Sequence, residues 1–143
     1  MLHFDSDYME GAHPAIIERL AATNLDQTPG YGTDAVCESA RNRIRYACGA
    51  PDAAVHFLVG GTQANAAVID QLLRPWEGVI SADTGHINGH EAGAVEAHGR
   101  KILPIPHRNG KLDAGDVRAR YESWAAGEAR EHEVQPGVVY LSQ

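Results

Sequence analysis

Hydrophobic and polar positions along the chain follow helical and extended rhythms in turn. Ile16, Ile17 and Leu20 form one apolar stripe at helical spacing, and Pro14 suits a first helical position, so a short helix is expected over 14–23. Gln27-Thr28-Pro29-Gly30-Tyr31-Gly32 is loop chemistry. Asp34 offers an N-cap to a second helix running to about Cys48, whose stripe is Val36, Cys37, Ala40, Ile44 and Ala47. Arg41, Arg43 and Arg45 recur at alternate positions on that helix, which spreads them around it and predicts a solvated role.

Shorter apolar runs follow. Ala54–Val59 (AVHFLV), bounded by Pro51-Asp52 and Gly60-Gly61, reads as a strand. Gln63–Leu73 reads as a helix with Thr62 as N-cap, Val79–Ala82 as a short strand, and His90–His98 as a helix with Gly99 in the residue position just past its end. Lys101–Pro106 is extended, Asn109-Gly110 is a turn, Asp113 caps a helix to about Gly127, and Val138–Ser142 is a last strand. Helices alternating with strands across short connections predict an α/β fold with a mostly parallel sheet covered by helices. Residues 1–33 read as an arm carrying one helix, and 34–143 as the first part of a larger domain. In open α/β sheets the ligand-binding residues lie just past the carboxyl ends of strands. A chain ending at Leu141-Ser142-Gln143 is therefore expected to be truncated.

Composition narrows the function. Hydrophobic residues are 43% and charged residues 22% of the 143, which excludes a disordered chain. A net charge of −7 with no basic stripe argues against nucleic acid or an anionic membrane surface, yet still permits an anion site made from backbone N–H groups. Cys37 and Cys48 have no metal-type spacing and are too few for a disulfide framework, which points to a reducing cytoplasm. No apolar run approaches the ~20 residues of a membrane span, and the start MLHFDSDYMEG lacks a signal-peptide pattern.

Two segments carry candidate chemistry. Gly60-Gly61-Thr62-Gln63-Ala64-Asn65 lies between a strand and a helix. Glycines admit close backbone approach, and the first N–H groups of a helix lack internal partners, so the loop suits an anion. It is neither a Walker A nor a dinucleotide fingerprint, and on its own it is equally a plain strand-to-helix turn. His86, His90 and Glu91 could be read as a metal site, because histidines at i and i+4 share a helix face. Gly85, Asn88 and Gly89 argue against a continuous helix there, so no metal is expected, and a metal-dependent hydrolase using these three residues, His86, His90 and Glu91, stands as the alternative from a different class. His56 reads as a packed histidine, and Trp76 and Trp124 as packing residues.

Four segments in register bring a resemblance: Asp5-Ser6-Asp7, Tyr31-Gly32-Thr33-Asp34, the Gly60–Asn65 loop, and Thr84-Gly85-His86-Ile87 followed by His90-Glu91-Ala92-Gly93-Ala94. Together they resemble the N-terminal portion of the threonine aldolase/β-eliminating lyase family of fold-type I enzymes, over essentially the whole chain. The resemblance implies part of a three-layer α/β/α large domain, pyridoxal 5′-phosphate as cofactor, a small-molecule amino-acid substrate, and a homodimer or homotetramer with a shared active site. Threonine would be cleaved to glycine and acetaldehyde, or a leaving group would be eliminated from Cβ; the visible residues do not separate the two. Carried onto matching positions, Gly61 and Thr62, with Gly60 and Gln63, would hold the cofactor phosphate. His86 would stack on its ring and Glu91 would lie beside it. Ser6 would bind the substrate carboxylate, Tyr31 would reach the neighbouring subunit's site, and His86 and His132 are the candidates for proton transfer.

Two departures qualify the match. Gly60 stands where the family more often has serine, which removes one phosphate donor. The family's cofactor-linking lysine and its pyridine-nitrogen aspartate lie beyond the last strand seen here, and neither Lys101 nor Lys111 has that lysine's context, so the isolated chain is expected to be inactive.

Overall fold

The computed structural model describes residues 9–142 and divides into two compact units, Met1–Phe57 and Leu58–Gln143. In the first unit α1 spans Pro14–Thr23 and α2 spans Ala35–Ala47, as the apolar stripes predict. Asp34 caps α2 by accepting from the N–H groups of Val36 and Cys37, both at 2.9 Å.

The arginines of α2 do more than face solvent. Arg41 and Arg45 are four apart and so share a face. Arg41 donates to the carbonyls of Gly32 (2.7 Å) and Val55 (3.3 Å), while Arg45 donates to that of Ala53 (3.0 Å). Both also reach Glu38. These contacts tie the loop before α2 and the segment after it to one helix. Ala54–Val59 is not a strand: it is irregular, and Val59 is 97% exposed. Its apolar composition suits a sheet, but it pairs with no other strand among the described residues, and a strand exists only through its ladder.

The second unit is built on α3 (Gly61–Leu72), β1 (Glu77–Ala82), α4 (His86–Gly89), α5 (Ala94–Ala97), β2 (Lys101–Ile105), α6 (Ala114–Ala125) and β3 (Gln135–Val139), with one 3₁₀ turn at Arg130–His132. The three strands are parallel in the order β2-β1-β3, the α/β arrangement expected from the alternation of elements. Successive side chains of a strand face opposite ways, so each strand feeds two cores. Val79 and Ile102 pack with Ile69 and Leu73 of α3, Ile87 of α4 and Val95 of α5. Ile80, Leu103 and Ile105 pack on the other face with Val117 of α6, Leu112 and Val134. Helices thus cover both faces. Pro104, which lacks an N–H, sits in β2, a strand paired only to β1 among the described residues.

Several boundaries differ from the sequence expectation. β1 starts at Glu77 rather than Val79, and β3 spans Gln135–Val139 rather than 138–142, because the pairings Glu77↔Gln135 and Gly78↔Pro136 extend the ladder into less apolar sequence. Gly60, not Thr62, is the N-cap of α3, so the helix begins one residue before Thr62. The helix expected over 90–98 is split: α4 precedes it, Ala92 and Gly93 adopt positive φ (51° and 76°), and only Ala94–Ala97 is helical. Positive φ at consecutive residues breaks a right-handed helix. Gly99 does end α5 as expected, with φ 74° and its N–H on the Glu96 carbonyl at 2.8 Å. Asn109 and Gly110 both take positive φ and close a tight turn between Arg108 and Lys111.

Past β1, Asp83 accepts from His107 Nδ1 at 2.6 Å, and its carbonyl accepts from Asn88 at 2.7 Å. The hydrogen bond from His107 holds the Asp83 carboxyl below its usual range.

Two outcomes test this packing. Ile80, 2% exposed, sits between β1 and α6, so Ile80→Ala is expected to lower unfolding free energy by about 2–5 kcal/mol in urea titrations; a loss under about 0.5 kcal/mol, the range of ordinary surface substitutions, would contradict the two-sided core. For Asp83 the folded pKa lies below the unfolded one, so its stabilisation is complete above the unfolded value of about 3.9 and disappears as pH falls through the folded value. The urea midpoint of Asp83→Asn is expected to fall below the parent's at pH 7 and to converge on it toward pH 3. A gap that stays constant with pH would show that Asp83 acts through shape alone.

Candidate active site

The N-terminus of α3 points toward the carboxyl ends of the strands. Asn65 in its first turns contacts Tyr140 beyond β3, while Leu73 at its far end approaches Gly137 within β3. α3 has twelve residues and no side-chain cap at its start, so its first N–H groups are left for an outside acceptor. Gly60 and Gly61 face open space: a Cβ built on either meets no atom within 4 Å. Gln63, three residues into the helix, folds its amide oxygen back onto the Val59 N–H at 2.9 Å, which fixes the entry of the chain into the helix.

β1 delivers the second half of the site. After Asp83 the chain turns at Thr84-Gly85 into the single turn α4, with His86 as its first residue. Gly85 is buried against the end of β1, where an added Cβ would collide with Ser81 Oγ and lie 2.9 Å from the Ala82 carbonyl oxygen. This close approach lets His86 stand directly over the strand end. Ile87 anchors the turn in the core at 1% exposure.

Glu91 joins the two halves. Its side chain has no exposed surface. Oε1 lies 2.8 Å from His86 Nδ1 and accepts from Asn65 Nδ2 at 2.6 Å. The second N–H of Asn65 reaches the Tyr140 hydroxyl at 3.3 Å. Oε2 is buried and has no partner among the described residues. A buried carboxylate oxygen without a donor is costly. The His86 ring, by contrast, is half exposed, with a side-chain accessibility of 53%. A cavity of about 550 Å³ opens at the same carboxyl edge of the sheet, lined in part by Thr84, Gly85, Tyr140 and Ser142.

The expected site residues therefore fall into three groups. Gly60, Gly61, Thr62, Gln63, His86 and Glu91 all lie in the second unit, on the elements that meet at this edge. His132 lies in the 3₁₀ turn before β3, at the amino end of the sheet. The β1 ladder from Glu77 to Ala82 separates it from the His86 turn by about 17 Å at ~3.3 Å per residue, and the two histidines are not brought together. Tyr31 belongs to the first unit, where it is fully exposed with φ 61°. Ser6 lies outside the described residues.

The metal reading of His86, His90 and Glu91 is not supported. One helical turn does form at His86–Gly89, despite its glycine and asparagine, and the two imidazole centroids are 5.7 Å apart. But Glu91 is turned inward onto His86 Nδ1 and Asn65, and no group of three or more His, Cys, Asp or Glu side chains among the described residues is arranged to hold a metal ion. Asn65 and Tyr140 are the functional candidates that the sequence did not single out. Asn65 stood inside the loop motif, but nothing in the sequence links it to a glutamate 26 residues away.

Comparisons with known proteins agree with this fold. The chain is 41% identical to a solved threonine aldolase from Leishmania major, with a TM-score of 0.89 over 96% of this chain and 39% of that one. It is 30% identical to a low-specificity L-threonine aldolase of Pseudomonas aeruginosa over 98% of its own length, and 29% identical to that of Pseudomonas sp. (strain NCIMB 10558) over 80%. It spans 40% and 34% of the lengths of these two relatives. No helix among the described residues is long and apolar enough to cross a membrane. The beta-eliminating lyase pattern also matches residues 3–143, and the chain belongs to the beta-eliminating lyase family.

Proposed function

We propose that the protein works as a pyridoxal 5′-phosphate-dependent lyase that cleaves the Cα–Cβ bond of β-hydroxy-α-amino acids, taking threonine to glycine and acetaldehyde. The observation that carries this reading is the meeting of the uncapped α3 N-terminus with the Glu91–His86 pair, whose Oε2 is buried and has no partner among the described residues. The residues present fit such a cofactor: Gly60 and Gly61 leave room for a phosphate, and the half-exposed imidazole leaves a face for a flat ring.

The first N–H groups of α3 and the Thr62 hydroxyl would bind the phosphate, aided by the positive end of the helix dipole. When bound, the cofactor supplies a sink for the electron pair released from the breaking bond. His86, held through Nδ1 by Glu91, would present Nε2 to take the proton from the substrate's β-hydroxyl. Ser6 is proposed to bind the substrate carboxylate, and Tyr31 to act at the site of a neighbouring copy in a homodimer or homotetramer. His132 has no part in this proposal. Free Cys37 and Cys48 support a cytoplasmic location. Elimination of a leaving group from Cβ is the second reading, favoured by the family match; it uses the same cofactor site.

Two measurements test the proposal. The chain is expected to bind pyridoxal 5′-phosphate in competition with inorganic phosphate, and Gly61→Asp is expected to abolish that binding while the helix still forms, because a carboxylate there suits the helix dipole but repels phosphate. Equal binding by Gly61→Asp would remove the phosphate from α3. In a polypeptide carrying the whole length of the family relatives, His86→Phe keeps a flat face and loses the proton acceptor. Aldehyde release from threonine is expected to fall by about 10²–10⁴-fold with cofactor binding retained, and turnover at the parental rate would exclude His86 as the base.

A further inference from the structure

The geometry points to Asn65 as a positioning residue that, by orienting the buried Glu91 carboxylate, fixes His86 as the tautomer protonated at Nδ1 and bare at Nε2. The inference rests on the reading of His86 as the proton acceptor, but its physical content does not depend on the cofactor.

The argument counts donors. A side-chain amide has two N–H bonds, and a neutral imidazole has one N–H and one bare nitrogen. Asn65 directs one N–H to Glu91 Oε1 at 2.6 Å and the other to the Tyr140 hydroxyl at 3.3 Å. Oε1 belongs to a carboxylate, whose oxygens only accept. Its second short contact, 2.8 Å to His86 Nδ1, is then one in which Nδ1 carries the proton. Nε2 is left without a proton on a ring that is half exposed, while Nδ1 is tied to a carboxylate with no exposed surface. Among the described residues the Asn65 side chain hydrogen-bonds Glu91 and Tyr140 and makes no hydrogen bond to His86. It acts through Glu91, as outer partners of a working histidine do elsewhere in fixing tautomer and ring direction.

The amide is also the link that ties this contact to the rest of the unit. Asn65 belongs to α3, Glu91 to the loop between α4 and α5, and Tyr140 to the segment leaving β3. Apart from Asn65, the only other contact to the Glu91 carboxylate among the described residues comes from His86 itself. Without Asn65, Oε1 and Oε2 have no fixed orientation, and the carboxylate can turn away from Nδ1.

The test reads the tautomer directly, by long-range ¹H–¹⁵N correlation on the chain labelled at histidine, with His86 assigned from the signals lost in His86→Gln. The parent is expected to show His86 protonated at Nδ1. Asn65→Leu removes both donors, and Asn65→Asp replaces them with acceptors at nearly the same size. Both are expected to lose the Nδ1-protonated signature, and Asn65→Ser, which restores one hydroxyl donor, is expected to regain part of it. If Asn65→Leu does not fold, the Asp and Ser variants still separate donor from shape. A parent protonated at Nε2, or an Asn65→Asp variant with the parental tautomer, would overturn the inference. If the tautomer behaves as expected but no phosphate-competed cofactor binding is found, the functional reading fails and the positioning role of Asn65 stands.

Discussion

A carboxylate with no exposed surface persists in a fold only when donors surround it, because removal from water costs several kcal/mol that hydrogen bonds must offset. Glu91 is that carboxylate here, and the elements of the second unit are arranged about it. α3 supplies Asn65 from one side, and the turn after β1 supplies His86 from another. The segment beyond β3 reaches the same cluster through Tyr140. Three stretches distant in sequence thus meet in one hydrogen-bonded cluster. Glu91 Oε2 meets no donor among the described residues.

The parallel sheet explains why the cluster forms where it does. In a parallel arrangement every strand ends on the same edge, and every returning helix starts there. Carbonyls leaving the strands and N–H groups opening the helices meet along that edge with no partners of their own. The chain uses this at α3, whose uncapped start faces the same region as His86. Two cores, one on each face of β1, hold the edge rigid: Val79 faces α3, α4 and α5, while Ile80 faces α6. Gly85 completes the geometry by allowing the turn to lie directly on Ser81.

Much of this was legible in the sequence. The amphipathic stripes located α1 and α2, helices were also expected where α3 and α6 lie, the caps at Asp34 and Asp113 were read correctly, and the alternation of elements implied a parallel sheet. The misreadings share a cause. AVHFLV at 54–59 has strand composition but no ladder partner, so composition alone misled. The helix expected over 90–98 was broken by positive φ at Ala92 and Gly93, next to a Glu91 whose carboxylate is bonded to Asn65 and His86. Arg41 and Arg45 looked solvated because their acceptors are backbone carbonyls of neighbouring loops, which carry no sequence signature.

The sequence by itself determined which segments could form helices and strands, because hydrophobic period and capping chemistry are local. It also determined family membership, because the motifs lie in register along the chain. The tertiary structure decided which candidates act together. His86 and His132 look alike in the sequence, but they lie toward opposite ends of one sheet, because one follows a strand and the other precedes one. Asn65 and Glu91, separated by 26 residues, meet at 2.6 Å. Such a meeting depends on how elements pack, and no local pattern encodes it.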